Sequence, residues 1–382
     1  MRAEDPSKKL RTLPLRVAPE EGEALTSWLE AIARRHSISF VDVAIACGVP
    51  RNLSVTAWLR IADNQLDNIA NVTRLPVDCV RKMTLHSYAD ALPGIDFAER
   101  SGVFALWVRH QGARYCPRCI GDTGARWRTS WYLNWTFACL THRCLLVDEC
   151  PHCHRRQRAD VPRIRQVPAA NSRCRADTLI SSTCHGELAD VYPLLLDAED
   201  PVLAAQQSVD ALLRGKDLRF GLYAGRPTPP RHVLTDLRIL TQWIYTSRFV
   251  GDFHGRASSR ATAAITEQRV IAARTRDAQW RRSGVTPYSV DIAAGMVHGL
   301  EILRSHTDWG VPQGIGELVT ADAGAPPNHR TFAIRTGISP ALSRALAPAL
   351  VHARHGRSAQ RRFDRMSARA AEVVQNSAGD QR

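Results

Sequence analysis

Between Cys116 and Cys153 the chain reads Cys-Pro-Arg-Cys, nineteen residues, Cys-Leu-Thr-His, seven residues, Cys-Pro-His-Cys. A gap of two residues lets both side chains of one tight turn reach a single ion, and two such turns supply the four ligands of tetrahedral zinc. The first knuckle (Cys116, Cys119) and the second (Cys139, His142) are therefore expected to close a site of three thiolates and one imidazole. With all four positions filled by side chains, no place is left for water, which marks a structural site and not a catalytic one. The competing reading is a cluster of buried free thiols.

A second site is expected to follow. Cys150 and Cys153 form a third knuckle, with Cys174 and Cys184 as the return pair. That pair is loose: nine residues separate Cys174 from Cys184, and Ser181 stands where a tight knuckle would place a thiol. His152, His154 and His185 are alternative donors, so the fourth ligand stays open. Cys47, Cys79 and Cys144 have no partner at metal spacing and read as ordinary buried thiols.

The rest of the composition narrows the class. The 382 residues are enough for two or three domains, and 44% hydrophobic with 23% charged residues is a globular balance. No apolar run is long enough for a membrane span. The charged segment Met1 to Lys9 has no apolar stretch behind it, so it is not a secretory signal. Cysteines in knuckle spacing then point to a reducing, cytoplasmic compartment, in association with the nucleoid. The net charge of +14 is carried mostly by arginine, whose planar fork pairs with phosphate. Seven arginines and one acid lie between Arg155 and Arg175, and six arginines and one acid between Arg354 and Arg369. Arg155, Arg156, Arg158, Arg163 and Arg165 are the candidate contacts to a nucleic-acid backbone; solvated loops are the alternative.

Several enzyme classes drop out. His185, Gly186 and Glu187 resemble a zinc-deaminase motif, but no cysteine follows. No phosphate-binding Gly-rich loop with Lys and Ser/Thr is present, and the acidic residues show no transposase signature.

Five segments emerge. Residues 10–110 read as helical: Pro19, Glu20 and Glu21 suit a helix start, and Leu25, Trp28, Leu29 and Ile32 form an apolar stripe. Ser39 caps a helix from Phe40 to Cys47 that stops at Gly48, and another is expected from about Ser54. Leu66 to Val72 and Val80 to Thr84 repeat the rhythm. Helix, glycine turn, helix is the outline of a helix-turn-helix, and equally of a plain helical bundle. Residues 111–190 form the zinc-binding module, in which Trp127, Trp131 and Trp135 are expected to cover the knuckles. Residues 191–225 make a connecting helical segment and linker, with breakers dense from Gly221 to Pro230. Residues 231–355 form a C-terminal helical domain, in which Val233, Leu234, Leu237, Leu240 and Ile244 mark an amphipathic helix. Leu300 to Leu303 and Ile334 to Leu350 are expected helical too, with a helix-turn-helix-like start at Thr336 to Pro340. Residues 356–382 are a basic, partly disordered tail. The expected fold class is mainly α, multi-domain, with helix-turn-helix-like elements and an inserted zinc-ribbon or zinc-knuckle module.

Arg114, Cys116, Pro117, Cys119, Asp122, Trp127, Arg128, Trp131, Cys139, His142, Leu145, Cys150, Pro151 and Cys153, in that order, resemble the TniQ family. The opening Leu13, Pro14, Pro19, Gly22, Glu23, Leu25, Ser27, Trp28, Leu29 and Ala33 resembles the start of the same family. Its members include the TnsD target selectors, accessory factors of DNA transposons. The resemblance implies a non-enzymatic protein that binds DNA, or an RNA-guided complex on DNA, and recruits an AAA+ ATPase regulator that engages the transposase. It also implies that Cys116, Cys119, Cys139 and His142 hold a structural zinc and that Cys150 and Cys153 open a second. The N-terminal part and the zinc module would hold the ATPase, and the helices after the linker would read the target. A homodimer is compatible with this role. The family often has Gly where Arg143 stands, and the usual later knuckle is replaced by Cys174 and Cys184. A standalone zinc-containing helix-turn-helix transcription regulator is the alternative function.

Overall fold

The computed structural model describes residues 12–92, 107–109, 112–159, 167–168, 172–174, 184–225, 227–246, 288–305 and 338–345. Among these the chain is mainly helical, with one two-stranded antiparallel ladder.

The first helix, α1 (Leu25–Arg35), is buried on nearly all sides, from Leu25 to Ala33. It starts later than Pro19 suggests. Gly22 turns the backbone at φ +71, and the chain from Gly22 to Ala24 pairs with a distant segment. Ala24 N–H donates to Trp127 O at 2.7 Å and Thr129 N–H to Gly22 O at 2.9 Å. Those bonds use backbone groups that a longer helix would have consumed.

Ser39 caps α2 (Phe40–Ala46) through a reciprocal capping box with Asp42, and Gly48 turns the chain at φ +67. Ser54 caps α3 (Val55–Leu59). Phe40 of α2 meets Trp58 of α3 edge-to-face at 5.4 Å, and both helices pack on α1. A helix of seven residues, a glycine turn and a helix of five thus follow one another here. Next come α4 (Asp63–Thr73) and α5 (Val77–Lys82), packed on each other; α5 begins before Val80 because Pro76 supplies its N-cap.

The knuckle region holds a short helix, α6 (Pro117–Asp122), and the ladder of β1 (Ala138–Cys139) with β2 (Cys144–Leu145). Trp107, Trp127, Trp131 and Trp135 are all buried, as expected for aromatics that substitute for a large core. Trp127 packs edge-to-face on Trp131 at 5.7 Å and Trp107 on Trp135 at 6.4 Å. Residues 194–196 extend the ladder: Leu145 N–H donates to Leu194 O and Leu196 N–H to Arg143 O.

Three longer helices finish the described chain. Asp200 caps α7 (Pro201–Leu213), with Pro201 at the first helical position. Gln206 of α7 accepts the backbone N–H groups of Phe137 and Ala138 at 2.8 and 3.0 Å, which fixes the helix to the knuckle region. The helices α8 (Pro230–Thr246) and α9 (Ser289–Arg304) pack along each other. Gly295 and Gly299 of α9 lie one turn apart against Thr241 and Leu240. A Cβ on Gly295 would run into Thr241, so glycine permits the approach. Val233, Leu234, Leu237 and Leu240 are buried as expected.

The breaker-rich stretch before α8 carries a buried side chain. Tyr223 OH donates to Asp236 Oδ2 at 2.8 Å, and Ser339 N–H donates to Asp236 Oδ1 at 2.8 Å. Helical residues 340–345 begin at that serine, which also accepts Leu342 N–H. Among the described residues, one hydrophobic cluster takes in residues from Ala24 to Leu342. The tail beyond 345 and Thr336 with Gly337 lie outside the described residues. Among the described residues no helix is long and apolar enough to cross a membrane.

Candidate metal centres and the charges around them

Cys116 is both a donor and the N-cap of α6: its Sγ accepts Cys119 N–H at 3.5 Å, with Pro117 at the first helical position. That turn aims the Cys119 thiol the same way. Across the ladder, Cys139 ends β1 and the chain turns back through His142. The ligand atoms of Cys116, Cys119, Cys139 and His142 all lie within 4.8 Å of one another. Cys119 Sγ is 3.6 Å from Cys139 Sγ and 3.2 Å from His142 Nδ1. His142 therefore presents Nδ1, and its Nε2 is 2.8 Å from Asp122 Oδ2. A carboxylate on the far imidazole nitrogen fixes the tautomer and raises ligand basicity, as around bound metals generally. These four residues could hold a metal ion, and three thiolates with an imidazole suit zinc.

Arg143, which stands where the resemblance expects glycine, has φ +47. A glycine takes that left-handed conformation freely, whereas a side chain pays about 1–2 kcal/mol for it. The departure is local strain and leaves the ligand geometry in place.

The second group is Cys150, Cys153, Cys174 and Cys184, again with all four sulfurs within 4.8 Å of one another. Cys150 N–H donates to Arg155 O and His154 N–H to Cys150 O, closing the knuckle turn. The loose spacing of the return pair has a backbone cause. Cys174 N–H donates to Gly186 O and Leu188 N–H to Ser172 O, so an antiparallel pairing of 172–174 with 186–188 brings the two cysteines together. Ser181 lies outside the described residues; of the described candidates, Cys184 belongs to the group, and His152, His154 and His185 do not. The His152 ring lies against Gly186 and leaves no room for a Cβ there. Gln157 Nε2–H donates to Cys174 Sγ at 3.2 Å.

Cys144, expected as an ordinary buried thiol, is buried but not remote: its Sγ is 3.7 Å from Cys116 Sγ. Local spacing misses this because the ladder, not a knuckle, sets its position. Cys47 is an apolar thiol that burial pushes up to about 12.

The arginines divide sharply. Arg158 does not face solvent for phosphate. Its guanidinium makes a two-pronged pair with Glu30 of α1, at 3.0 and 2.9 Å, and lies 4.9 Å over the Trp127 ring. Burial opposes its charge, yet Glu30 holds its pKa up. Its side chain is 12% exposed, so it is a core ion pair. Arg156 is half-buried, 3.9 Å from Glu149. Arg155 is exposed. Arg163 and Arg165 lie outside the described residues.

The sequence motifs include Arg114 and Glu23 but do not reveal them as deeply buried charges. Arg114 is fully buried; Nε–H donates to Asp148 Oδ1 at 2.8 Å, and Nη1 donates to the carbonyls of Leu133, Asn134 and Thr136. Arg109 is 3.3 Å from the same carboxylate oxygen. Burial, with Arg114 beside it, pulls Arg109 down to about 9. The other oxygen, Asp148 Oδ2, accepts Ser289 N–H at 2.6 Å, at the start of α9. A single carboxylate therefore joins the knuckle region to a helix 141 residues away. At the other end, Arg126 donates to both oxygens of buried Glu23 at 2.9 Å, and Ser27 Oγ donates to Glu23 Oε1 while accepting Trp127 N–H. The opening motif and the knuckle motif thus meet through one carboxylate and one hydroxyl.

Residues 14–146 match the family model described as TniQ. No curated protein matches the chain.

Proposed function

The chain belongs to the TniQ family through residues 14–146, and from that premise we propose that it is an accessory protein selecting the DNA site at which a transposon inserts. The domain ties the chain to DNA transposition. Selection means engaging DNA, directly or through an RNA-guided complex, and recruiting an AAA+ ATPase regulator with its transposase. In this reading the chain performs no bond chemistry of its own, as TniQ-family proteins are non-catalytic accessory proteins. Both thiol-rich groups serve as structural zinc sites.

The observation that carries the reading is that the family match takes in two regions which the fold clasps together. The matched span contains α1, the Glu23–Arg126 clasp and the whole first donor group. The second donor group and α7, α8 and α9 lie beyond it and are the part free to differ between selectors. The net charge of +14 favours a polyanionic partner.

Mapping insertions genome-wide with and without the gene, in cells holding the element's ATPase and transposase, tests the proposal. Deletion is expected to abolish or scatter insertion at the normal site, and full-length protein is expected to capture the ATPase. An unchanged insertion map with altered expression of a nearby promoter would establish a transcription regulator instead. The full chain is needed, because cutting near Gly221 removes helices whose N-termini are held by Asp148 and Asp236.

A further inference from the structure

Two sulfurs bound to one tetrahedral zinc at about 2.3 Å lie about 3.8 Å from each other. Cys119 and Cys139 meet that spacing at 3.6 Å. Cys116 and Cys144 meet it as well, at 3.7 Å. The cause is register: Cys139 and Cys144 are direct partners across β1 and β2, and directly opposed residues project from the same face of a ladder. Cys144 is fully buried, and Leu194 to Leu196 pair along the outer side of its strand. Cys144 thus stands just outside the group of four donors and touches it through Cys116. His142 is the donor at the rim, with a side chain 16% exposed and a carboxylate partner, Asp122, that is 67% exposed.

We propose that Cys144 is a reserve ligand of the first centre. It takes the position of His142 when the imidazole is withdrawn, so that the ion is held either by three thiolates and an imidazole or by four thiolates. The exchange balances without any redox reagent. The bond from the ion to His142 Nδ1 breaks, a bond from the ion to Cys144 Sγ forms, and the Cys144 proton passes to the departing imidazole or to water. The ion keeps its oxidation state. What the protein gains is a rim histidine and its aspartate that can be drawn to a partner without loss of the metal. The proposal rests on the first centre binding zinc.

The test uses the full-length chain loaded with cadmium-113, a spectroscopic stand-in for zinc, reading ions per chain and the metal resonances. Wild type and Cys144→Ser are expected to hold equal numbers of ions. His142→Ala is expected to hold the same number, with the first-centre resonance moved to the more deshielded all-sulfur range. The double variant His142→Ala/Cys144→Ser is expected to lose one ion per chain. If His142→Ala does not fold, His142→Gln fills similar space without an imidazole nitrogen and carries the same expectation. Loss of the ion in both His142 single variants overturns the proposal. So does its retention in the double variant, and so does its loss in Cys144→Ser, which would make Cys144 an obligate ligand. A wild-type chain with no first-centre resonance removes the metal reading itself.

Discussion

Cys116 caps a helix and Cys139 lies in a ladder, whereas Cys150 and Cys153 sit in a turn and Cys174 and Cys184 reach them from a separate strand-like pairing. The donors of the first centre are buried except for the half-buried His142; Cys153 and Cys184 of the second are only half-buried. Cys116, Cys119 and Cys139 belong to the hydrophobic cluster that also holds Trp127, Trp131 and the N-terminal helices. Of the second, Cys150 and Cys174 belong to the same cluster, Cys153 and Cys184 only pack against it, and Gln157 donates to Cys174. Two groups of four soft donors thus differ in how much of the molecule depends on them. The family match follows that line, covering the first and stopping before the second.

The largest expected effect breaks the comparison at the metal. Closing a structural zinc site is worth on the order of 10–16 kcal/mol in small zinc peptides, comparable to a domain's whole stability. Cys119→Ser is expected to lose the first ion and the cooperative fold of the knuckle region together with α1. Cys184→Ser is expected to lose only the second ion and keep most of its helical circular dichroism. Elemental analysis beside thermal melts checks both, and equal collapse of the two variants would erase the difference between the centres. A graded chelator is likewise expected to strip the second centre first.

Next in size are the buried ion pairs. Removing one partner of a buried pair costs about 3–5 kcal/mol, because the other charge stays behind unpaired. Arg158→Ala is expected to lower stability by that much by stranding Glu30, and Glu30→Leu with Arg158→Met is expected to recover most of it. Denaturant midpoints read the effect. A near-neutral Arg158→Ala would return that residue to the solvated surface.

Much of this architecture is legible in the sequence where the cause is local. Ser39 with Asp42, Ser54, the knuckle spacing and the apolar stripe of α1 each act within one turn or one helix. The resemblance carries more than spacing does, since Glu23, Ser27, Arg114 and Asp122 all prove to hold the fold or a ligand. What stays hidden is long-range: Arg158 finds Glu30 across 128 residues, and Ser339 finds Asp236 across 103. No periodicity marks such pairs, and an arginine among arginines reads as a phosphate contact until its partner is known. Cys144 is hidden for a related reason, because a ladder register and not a knuckle brings it beside Cys116.

Asp236 offers a smaller, pH-dependent effect where α8 meets Tyr223 and Ser339. Burial is the main cause that raises its carboxyl to about 6, against the hydrogen bonds from Ser339 and Tyr223. The folded state therefore holds this proton more tightly than the unfolded chain. Its contribution to stability is present below the unfolded pKa near 3.8 and is lost as pH rises through about 6. Relative to Asp236→Asn, the wild type is expected to gain up to about 2–3 kcal/mol between pH 7 and pH 4. Paired melts across that range measure it, and parallel curves for the two proteins would show that Asp236 is already ionised when folded.

The smallest effect separates the arginines. Arg155 is exposed beside the third knuckle, that of Cys150 and Cys153, while Arg158, three residues on, is locked to Glu30. If the second centre presents a phosphate-tracking edge, Arg155→Ala removes one contact. The dependence of log affinity on log salt for duplex DNA should then flatten by about 0.9. Stability should move by less than about 0.5 kcal/mol, as for exposed substitutions generally. Among variants that still fold, Arg158→Ala should leave the salt slope where it was, since a guanidinium clasped by a carboxylate releases no counterions from DNA. Salt titrations on both proteins decide the matter. A slope that falls equally in both would mean that the Glu30 pair opens on DNA, making the core edge part of the contact. A slope unchanged in Arg155→Ala would move the DNA-facing surface away from the second centre altogether.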